Sequence, residues 1–392
     1  MQARVTGVLG LITATAAGLG LSAMAFAPAT PARPAPRVRT AYVVNNVSGT
    51  VTPINTATNR PGKAITVGIG GSKDQAYAVA ITPNGKTAYV LNNSDGEASS
   101  VTPISTATNK PGPPISVGEN PVAVVITPNG KTAYVGLLGG STVVPISTAT
   151  NKPGPPISVG RGGTLFDMVV TPNGRTVYVY WGFGTAGTVT PISTATNKPG
   201  PPIAVGHGGF EMAITPNSKT LYVTNYETST VTPVSTATNK PGKPIKVKGG
   251  PLVGEIGITP NGKTLYVASA STSTVTPIAV ATNKPGRAIR VNVFFGTSLP
   301  GGSIAFTPNS KTAYFVDRNA NTVTPVAIAT SKVGKPIKVG VFPCFIAITP
   351  NGKTAYAVNG LANTVTPIST ATGKPGKPIK VGDGPVDIAI TP

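Results

Sequence analysis

The side chains that could perform acid–base or metal chemistry are few in this chain of 392 residues. His207 is its only histidine, and the carboxylates of Glu211 and Asp167 lie one crossover apart from it in the expected fold. An imidazole that titrates near neutral pH could act beside carboxylates as a general acid and base, or as a metal ligand. If these three side chains converged in the fold, with Glu255 beside them, the chain could be a lactonase- or lyase-like enzyme. The alternative is that His207 is an incidental residue of a glycine-rich loop.

Sequence motifs of common enzymes are absent. The chain contains no G-x-S-x-G, Walker or H-E-x-x-H run. Its acidic residues are scattered rather than clustered as a calcium loop requires, so we predict no metal site and no cofactor. Cys344 is the only cysteine, which excludes a disulfide within the chain, and we interpret it as a buried, inert thiol. Binding without catalysis is therefore favoured over an enzymatic activity.

Aromatic side chains concentrate in segments that are otherwise rich in glycine and variable in sequence. Variable loops on a rigid scaffold commonly carry binding functions, so we predict a site there for a sugar, a peptide or another ligand. The alternative is that these rings fill a central channel or pack within the fold. The candidate ligand-binding residues are Trp181, Phe183, Phe210, Phe294, Phe295 and Phe342.

Basic residues outnumber acidic ones by 32 to 11, for a formal net charge of +21. One set follows a recurring turn sequence: Lys86, Lys131, Arg175, Lys219, Lys263, Lys311 and Lys353. These residues could simply be solvated, or they could attract an anionic polymer, lipid headgroups or nucleic acid through counterion release. The turns contain no interleaved aromatic residues for base stacking, so sequence-specific recognition of nucleic acid is not predicted.

A repeat must position all of these residues. The run TPNGKT or a close variant begins at Thr82, Thr127, Thr171, Thr215, Thr259, Thr307 and Thr349. Successive copies are between 42 residues (Thr307 to Thr349) and 48 residues (Thr259 to Thr307) apart. A period in the forties with strand-like composition is typical of a β-propeller or a solenoid.

Each repeat contains four short runs rich in Val, Ile, Thr and Tyr, which we name strands A to D. In the first full repeat, A is 78–81, B is 88–91, C ends at Ile104 and D surrounds Ile115. Prolines recur inside strand C, and because proline cannot donate to a ladder, we expect a kink there.

Each strand type occurs eight times, but the first copy of A is missing at the start and an eighth copy lies at 385–392. This offset predicts an all-β fold, a single β-propeller of eight four-stranded blades. The last strand would close the ring by pairing into the first blade. Seven blades, with one irregular repeat, is the alternative.

The predicted topology separates the charges. The A–B and C–D turns lie at one end of every blade, and they carry most of the basic residues. All eleven acidic residues fall in B–C turns, D–A crossovers or the start of strand A. We therefore expect one basic face and one variable, mildly acidic face.

The repeat resembles the YVTN-type (YncE-like) bacterial β-propeller family. The resemblance is carried by the segment from Ile81 to Asn92, ITPNGKTAYVLN, and most literally by the segment 222–225, YVTN. It covers nearly everything from Thr40 onward and implies the propeller fold. Departures include asparagine in place of the family's aspartate in the A–B turn. The family is functionally mixed, so the resemblance implies little about activity.

The first 29 residues have the features of a signal peptide. Arg4 precedes an apolar run that ends in small residues, and we expect cleavage between about residues 25 and 29; a retained membrane anchor is the alternative. A Pro/Ala/Arg linker would span 30–39 and the propeller 40–392, with no transmembrane span after cleavage. We predict a monomer, secreted or associated with the cell envelope, that binds an unidentified ligand there, such as an anionic polymer.

Overall fold

The computed structural model describes residues 39–69, 74–94, 99–138, 141–160, 164–182, 186–247, 253–269, 271–291 and 304–392. The expected signal peptide and nearly all of the expected linker lie outside the described residues. The described chain forms strands and turns only, arranged as eight antiparallel sheets with the strand order A-B-C-D. This confirms the predicted all-β propeller of eight blades.

The strands have the following bounds, from blade 1 to blade 8. Strand A spans Pro385–Ile390, Asp74–Ile81, Pro121–Ile126, Leu165–Val170, Gly209–Ile214, Val253–Ile258, Ile304–Phe306 and Pro343–Ile348. Strand B spans Thr40–Asn45, Thr87–Ser94, Thr132–Leu137, Thr176–Trp181, Thr220–Asn225, Thr264–Ser269, Thr312–Asp317 and Thr354–Asn359. Strand C spans Thr50–Asn55, Ser100–Ser105, Thr142–Ser147, Ala186–Ser193, Thr230–Ser235, Thr274–Ala279, Thr322–Ala327 and Thr364–Ser369.

Strand D consists of two short pieces in six blades and of one piece in blades 4 and 8. The paired pieces are Arg60–Pro61 and Ile65–Thr66, Lys110–Pro111 and Ile115–Ser116, Lys152–Pro153 and Ile157–Ser158, Lys240–Pro241 and Ile245–Lys246, Lys284–Pro285 and Ile289–Arg290, and Lys332–Val333 and Ile337–Lys338. The single pieces are Ile203–His207 in blade 4 and Ile379–Lys380 in blade 8.

The two ends of the propeller meet in blade 1. Strand A of this blade pairs with strand B from Ala41↔Ile390 onward. The amide of Thr40 donates to Oγ1 of Thr391 at 2.9 Å, and the amide of Thr391 donates to the carbonyl of Thr40 at 3.0 Å. The intact turn of blade 2 has the same two bonds between Thr82 and Thr87. The last strand therefore closes the ring as predicted and covers the edge that strand B of blade 1 would otherwise expose.

The core lies between the blades. One cluster combines Tyr42 and Val44 of blade 1 with Ala88 and Val90 of blade 2, and comparable clusters follow around the ring. Because side chains alternate between the two faces of a strand and each blade has a neighbour on both faces, strand B is apolar at nearly every position. Ala41 to Val44 accordingly have no exposed surface.

The prolines of strand C leave its pairing with strand B regular and coincide with a register shift against strand D, between Ile54↔Pro61 and Val51↔Ile65 in blade 1. The register of B against C runs without a shift through Tyr42↔Pro53. The carbonyl of Pro53 accepts a hydrogen bond from the amide of Gly62 at 2.7 Å, so its backbone polar atoms face strand D. The missing N–H of Pro53 thus lies where strand D is interrupted, and the B–C ladder keeps all of its donors.

A tyrosine of strand B ties each of six blades to the next one. Its hydroxyl donates to Oδ1 of an asparagine in the following C–D turn, at 2.6 to 2.7 Å. The pairs are Tyr42–Asn109, Tyr89–Asn151, Tyr134–Asn197, Tyr178–Asn239, Tyr222–Asn283 and Tyr356–Asn59. Each asparagine has a positive φ of 54 to 56°, a conformation that asparagine tolerates better than most residues. The last pair joins blade 8 to blade 1.

Two seams lack this tie. Ser331 replaces the asparagine that would face Tyr266, whose hydroxyl is buried without a hydrogen-bond partner. Gly373 replaces the asparagine that would face Tyr314, so no side-chain acceptor is present there. A buried hydroxyl without a partner destabilises a fold, whereas a bonded one contributes about 1 kcal/mol.

We therefore expect Tyr134→Phe to lower the free energy of unfolding by about 1 kcal/mol, because Asn197 loses its donor. Tyr266→Phe, the matched control, should leave stability unchanged or raise it. Ser331→Asn should raise stability, because it supplies Tyr266 with an acceptor in a backbone conformation that asparagine adopts. Denaturant unfolding followed by circular dichroism measures all three variants. Equal losses in both Tyr→Phe variants would contradict this assignment.

Candidate functional site

The A–B turns present the basic residues of the repeat. In blade 2, Oδ1 of Asn84 accepts a hydrogen bond from the amide of Lys86 at 2.9 Å, and Gly85 adopts a φ of 69°. These bonds explain why the turn contains Asn-Gly, because the asparagine side chain closes it and the glycine takes the left-handed conformation. The lysine side chain is left exposed.

Successive A–B turns contact one another. A Cβ on Gly85 would lie 3.2 Å from Pro392 of the preceding blade, and one on Gly174 would lie 3.3 Å from Pro128. Where serine replaces this glycine, its hydroxyl accepts a bond from the preceding turn: Ser218 from the amide of Asn173. Ser310 bonds the amide of Asn261 in the same way, at 3.0 Å. The turns therefore form a continuous inner row at one end of the propeller, from blade 1 to blade 8.

Arg39 completes this ring. Its carbonyl accepts a hydrogen bond from the amide of Thr56 at 3.0 Å, as the carbonyl of Lys86 does from Thr106. We name the eight residues Arg39, Lys86, Lys131, Arg175, Lys219, Lys263, Lys311 and Lys353 the basic ring. Seven of them are exposed and Arg39 is partly exposed. Sequence reasoning assigned Arg39 to the linker, although its place directly before TAYV was a usable signal.

The carboxylates proposed for catalysis hold neighbouring blades together. Oδ2 of Asp167 accepts a hydrogen bond from the amide of Met212 in the next blade at 2.8 Å, and its Oδ1 accepts from the amide of Met168. Oε2 of Glu211 accepts from the amide of Ile256 at 2.9 Å. Glu255 is buried at the equivalent place in blade 6. These contacts favour a structural role for the inner carboxylates.

Asp387 makes the same bridge at the closure of the ring. Its Oδ2 accepts from the amide of Val79 in blade 2 at 2.8 Å, and its Oδ1 accepts from the amide of Ile388. Burial raises the pKa of Asp387 and of Asp167 to about 6, although the backbone hydrogen bonds act in the opposite direction.

His207 lies apart from this arrangement of bonds. It is exposed at the end of strand D of blade 4 and pairs with Ala186. Asp167 lies on strand A, the innermost strand of the same blade, so strands B and C separate it from the strand D that carries His207. Among the described residues, no hydrogen bond joins His207 to Asp167 or Glu211, so the structure does not assemble the three as an acid–base group.

The aromatic candidates have different surroundings. Nε1 of Trp181 donates to Oγ1 of Thr190 at 2.8 Å, and its ring lies against Gly160, where a Cβ would be 2.5 Å away. Asn225 occupies the equivalent position in blade 5 and donates to Thr232 in the same way. Trp181 thus replaces the asparagine of the repeat and keeps its hydrogen bond.

Of the other aromatic candidates, only Phe342 has a described side chain, and it is 39% exposed. Phe183, Phe294 and Phe295 lie outside the described residues, as does the side chain of Phe210. The thiol of Cys344 is buried and lies 3.3 Å from the carbonyl of Pro385, and burial raises its pKa to about 11. That pKa leaves little of the reactive thiolate at neutral pH.

Within the described ranges, no three His, Cys, Asp or Glu side chains come together as a metal-binding group. The same part of the chain contains no helix that is long and apolar enough to cross a membrane.

No family model matches the chain, and no curated protein matches it. Among solved structures, the hydrazine synthase of Kuenenia stuttgartiensis is 21% identical, with a TM-score of 0.59 over 76% of this chain and 96% of the other. The dihydro-heme d1 dehydrogenase NirN is 14% identical, with a TM-score of 0.72 over 93% and 78%. Apo AztD from Citrobacter koseri is 11% identical, with a TM-score of 0.68 over 90% and 97%. At these identities the likeness shows the fold alone, a β-propeller.

The carboxylate bridges predict an unusual dependence of stability on pH. A carboxyl group whose pKa is higher in the folded than in the unfolded state binds its proton more tightly when folded. Asp167 and Asp387 should therefore increase the free energy of unfolding as the pH is lowered from about 7 through about 6 toward 4. The double variant Asp167→Asn, Asp387→Asn should lose this increase.

Thermal unfolding at several pH values measures the effect. Glu119→Gln, which removes an exposed carboxylate, is the control and should keep the wild-type pH dependence. A double variant with an unchanged pH profile would refute the assignment of the two raised pKa values.

Proposed function

We propose that this chain is an exported, non-catalytic β-propeller of the YVTN type that docks on an anionic polymer of the cell envelope through its basic face. The observation that carries the proposal is the basic ring: seven cationic side chains on A–B turns that contact one another, with Arg39 at the equivalent place in blade 1. The signal-like first 29 residues and the YVTN repeat support the location and the family.

In the part of the chain that the structure describes, no acidic residue lies on this face to neutralise its charge. Lysines of the C–D turns, such as Lys110, Lys152 and Lys198, are exposed at the same end as the basic ring. The described carboxylates lie in strand A, at the end of strand B, in B–C turns or in D–A crossovers, toward the other end. A surface of one sign concentrates polyanions near it and releases their counterions on binding.

The turn geometry also favours recognition of charge over sequence. The A–B turns contain Thr, Pro, Asn, Gly, Ser and a basic residue, without aromatic side chains on which bases could stack. Their backbone is held by its own hydrogen bonds, so the flexible basic side chains are the groups available to a ligand. A repetitive phosphate polymer fits such an array better than a single compact molecule.

Catalysis has less support. Two of the proposed catalytic carboxylates, Asp167 and Glu211, accept backbone hydrogen bonds from the next blade, and His207 is on a strand at the outer side of blade 4. Docking through the basic face does not require Asp167, Glu211 and His207 to come together.

Binding of poly(glycerol phosphate) should fall steeply with salt, because each cation that contacts the polymer contributes about 0.7 to the slope of log K against log salt. The variant Lys86→Gln, Lys131→Gln, Lys263→Gln, Lys353→Gln should lower the slope by about three and weaken binding at low salt. The control changes Lys246, Arg290, Lys338 and Lys380 of the outer strands to Gln, with the same loss of charge.

Isothermal titration at several salt concentrations measures both variants. An equal loss in the control variant would show that only net charge matters and would refute docking through the basic ring. Stronger binding to anionic phospholipid vesicles or to DNA than to the polymer would assign the face to a different partner and refute the proposed one.

A further inference from the structure

Among the described residues, no carboxylate forms an ion pair with the buried cation Arg318. It directly follows strand B of blade 7 and is only 7% exposed. Its Nε is buried without a hydrogen-bond partner. The carboxylate of Asp317 is adjacent in sequence, but its Oδ1 accepts hydrogen bonds from the amides of Asn319 and Ala320. A buried charge without a partner is costly, so its retention calls for an explanation, and a bound group from outside the protein would supply one.

Phe342 covers this guanidinium group. The Cζ atom of Arg318 lies 5.4 Å from the centre of the Phe342 ring, within the range of a cation–π contact. Phe342 has a φ of 56°, which is strained for a bulky residue. Two hydrogen bonds hold it there: its amide donates to Oδ1 of Asn321 at 2.8 Å, and its carbonyl accepts from the amide of Gly360 at 2.9 Å. These two hydrogen bonds keep the partly exposed ring of Phe342 above the buried guanidinium group of Arg318, despite the backbone strain.

Exposed apolar side chains continue from this ring across blades 8 and 1. Val341 is 52% exposed, Leu361 is 71% exposed and Val47 is 69% exposed. Leu361 follows Gly360, whose Cβ would lie 3.5 Å from the Phe342 ring, and Val47 contacts Gly384 of the neighbouring crossover. The amide of Gly384 donates to Oδ1 of Asn363, which links the loops of blades 8 and 1. These exposed apolar side chains therefore lie on linked loops at the same end of the propeller as Arg318.

We propose that Arg318 and Phe342 form the binding site of a small carboxylate ligand with an apolar body. The guanidinium group of Arg318 would donate two parallel hydrogen bonds to the carboxylate of the ligand, and its buried Nε has no competing partner within the protein. The apolar body of the ligand then packs on Phe342 and Leu361. The site lies on the variable face, opposite the basic ring, and does not depend on the proposed docking function.

The first experiment titrates the full chain with 4-phenylbutyrate by calorimetry and thermal shift. The wild type should bind with a Kd below about 1 mM, and the neutral analogue 4-phenylbutyramide should bind about tenfold more weakly or worse, because it lacks the charge. Arg318→Met should weaken binding of the carboxylate about tenfold or more. Phe342→Leu should weaken it several-fold.

Three controls separate loss of the site from other effects. In the absence of ligand, the Arg318→Met variant should unfold at the same temperature as the wild type or at a higher one, because an unpaired buried charge is removed. Arg318→Lys keeps the charge but loses the fork, and should bind with intermediate affinity. The quadruple Lys→Gln variant of the basic ring should bind the carboxylate as the wild type does. Equal affinity for the amide, unchanged binding by Arg318→Met, or loss of binding in the basic-ring variant would each overturn the proposal.

Discussion

Pairing between the first and last strands of the propeller is the interaction on which the rest of the molecule depends. A blade is apolar on both faces, so it needs a neighbour on each side. The cluster of Ala41 and Val43 with Tyr356 and Val358 forms only when Pro385–Ile390 completes blade 1. Closure also brings Asp387 to Val79 and Tyr356 to Asn59. One strand pairing therefore completes the apolar core, the carboxylate bridges and the tyrosine ties together.

The repeat contains positions whose residue recurs in nearly every blade and positions whose residue differs between blades. Turn residues and strand C prolines recur because each satisfies a backbone requirement that every blade shares. Changes at other positions are accommodated in different ways. Trp181 preserves the hydrogen bond of the asparagine that it replaces, whereas Ser331 leaves Tyr266 without a partner. Residues at the B–C and D–A end can vary because the apolar core between the strands, the carboxylate bridges and the turns of the opposite end already hold the blades together.

Much of the fold could be predicted from the sequence, because strand periodicity and turn composition are local properties that repeat eight times. The circular offset between residue 40 and residue 385 was sufficient to predict closure. The site could be predicted only in part. The partners of Asp167 and Glu211 are amides of the next blade, some 45 residues away, and no local pattern identifies such a pair. The strand C prolines indicated an irregularity, but strand C alone did not show that the pairing with strand B would stay regular and that strand D would be interrupted. Arg318 occurs once, outside the repeat, and only its burial distinguishes it from the other basic residues.

The missing tyrosine ties fall at consecutive seams, on either side of blade 7. Tyr266 has no partner in blade 7, and Tyr314 of blade 7 faces Gly373. Blade 7 is thus the segment that these bonds hold least firmly, and local opening of a protein begins where such contacts are fewest. Arg318 belongs to blade 7, while Phe342 lies on the crossover into blade 8 and is bonded to Gly360 of that blade. A ligand bound between Arg318 and Phe342 would join blades 7 and 8 at the seam that the tyrosine bonds hold least firmly. Its binding would therefore oppose local opening there and stabilise the whole closed propeller.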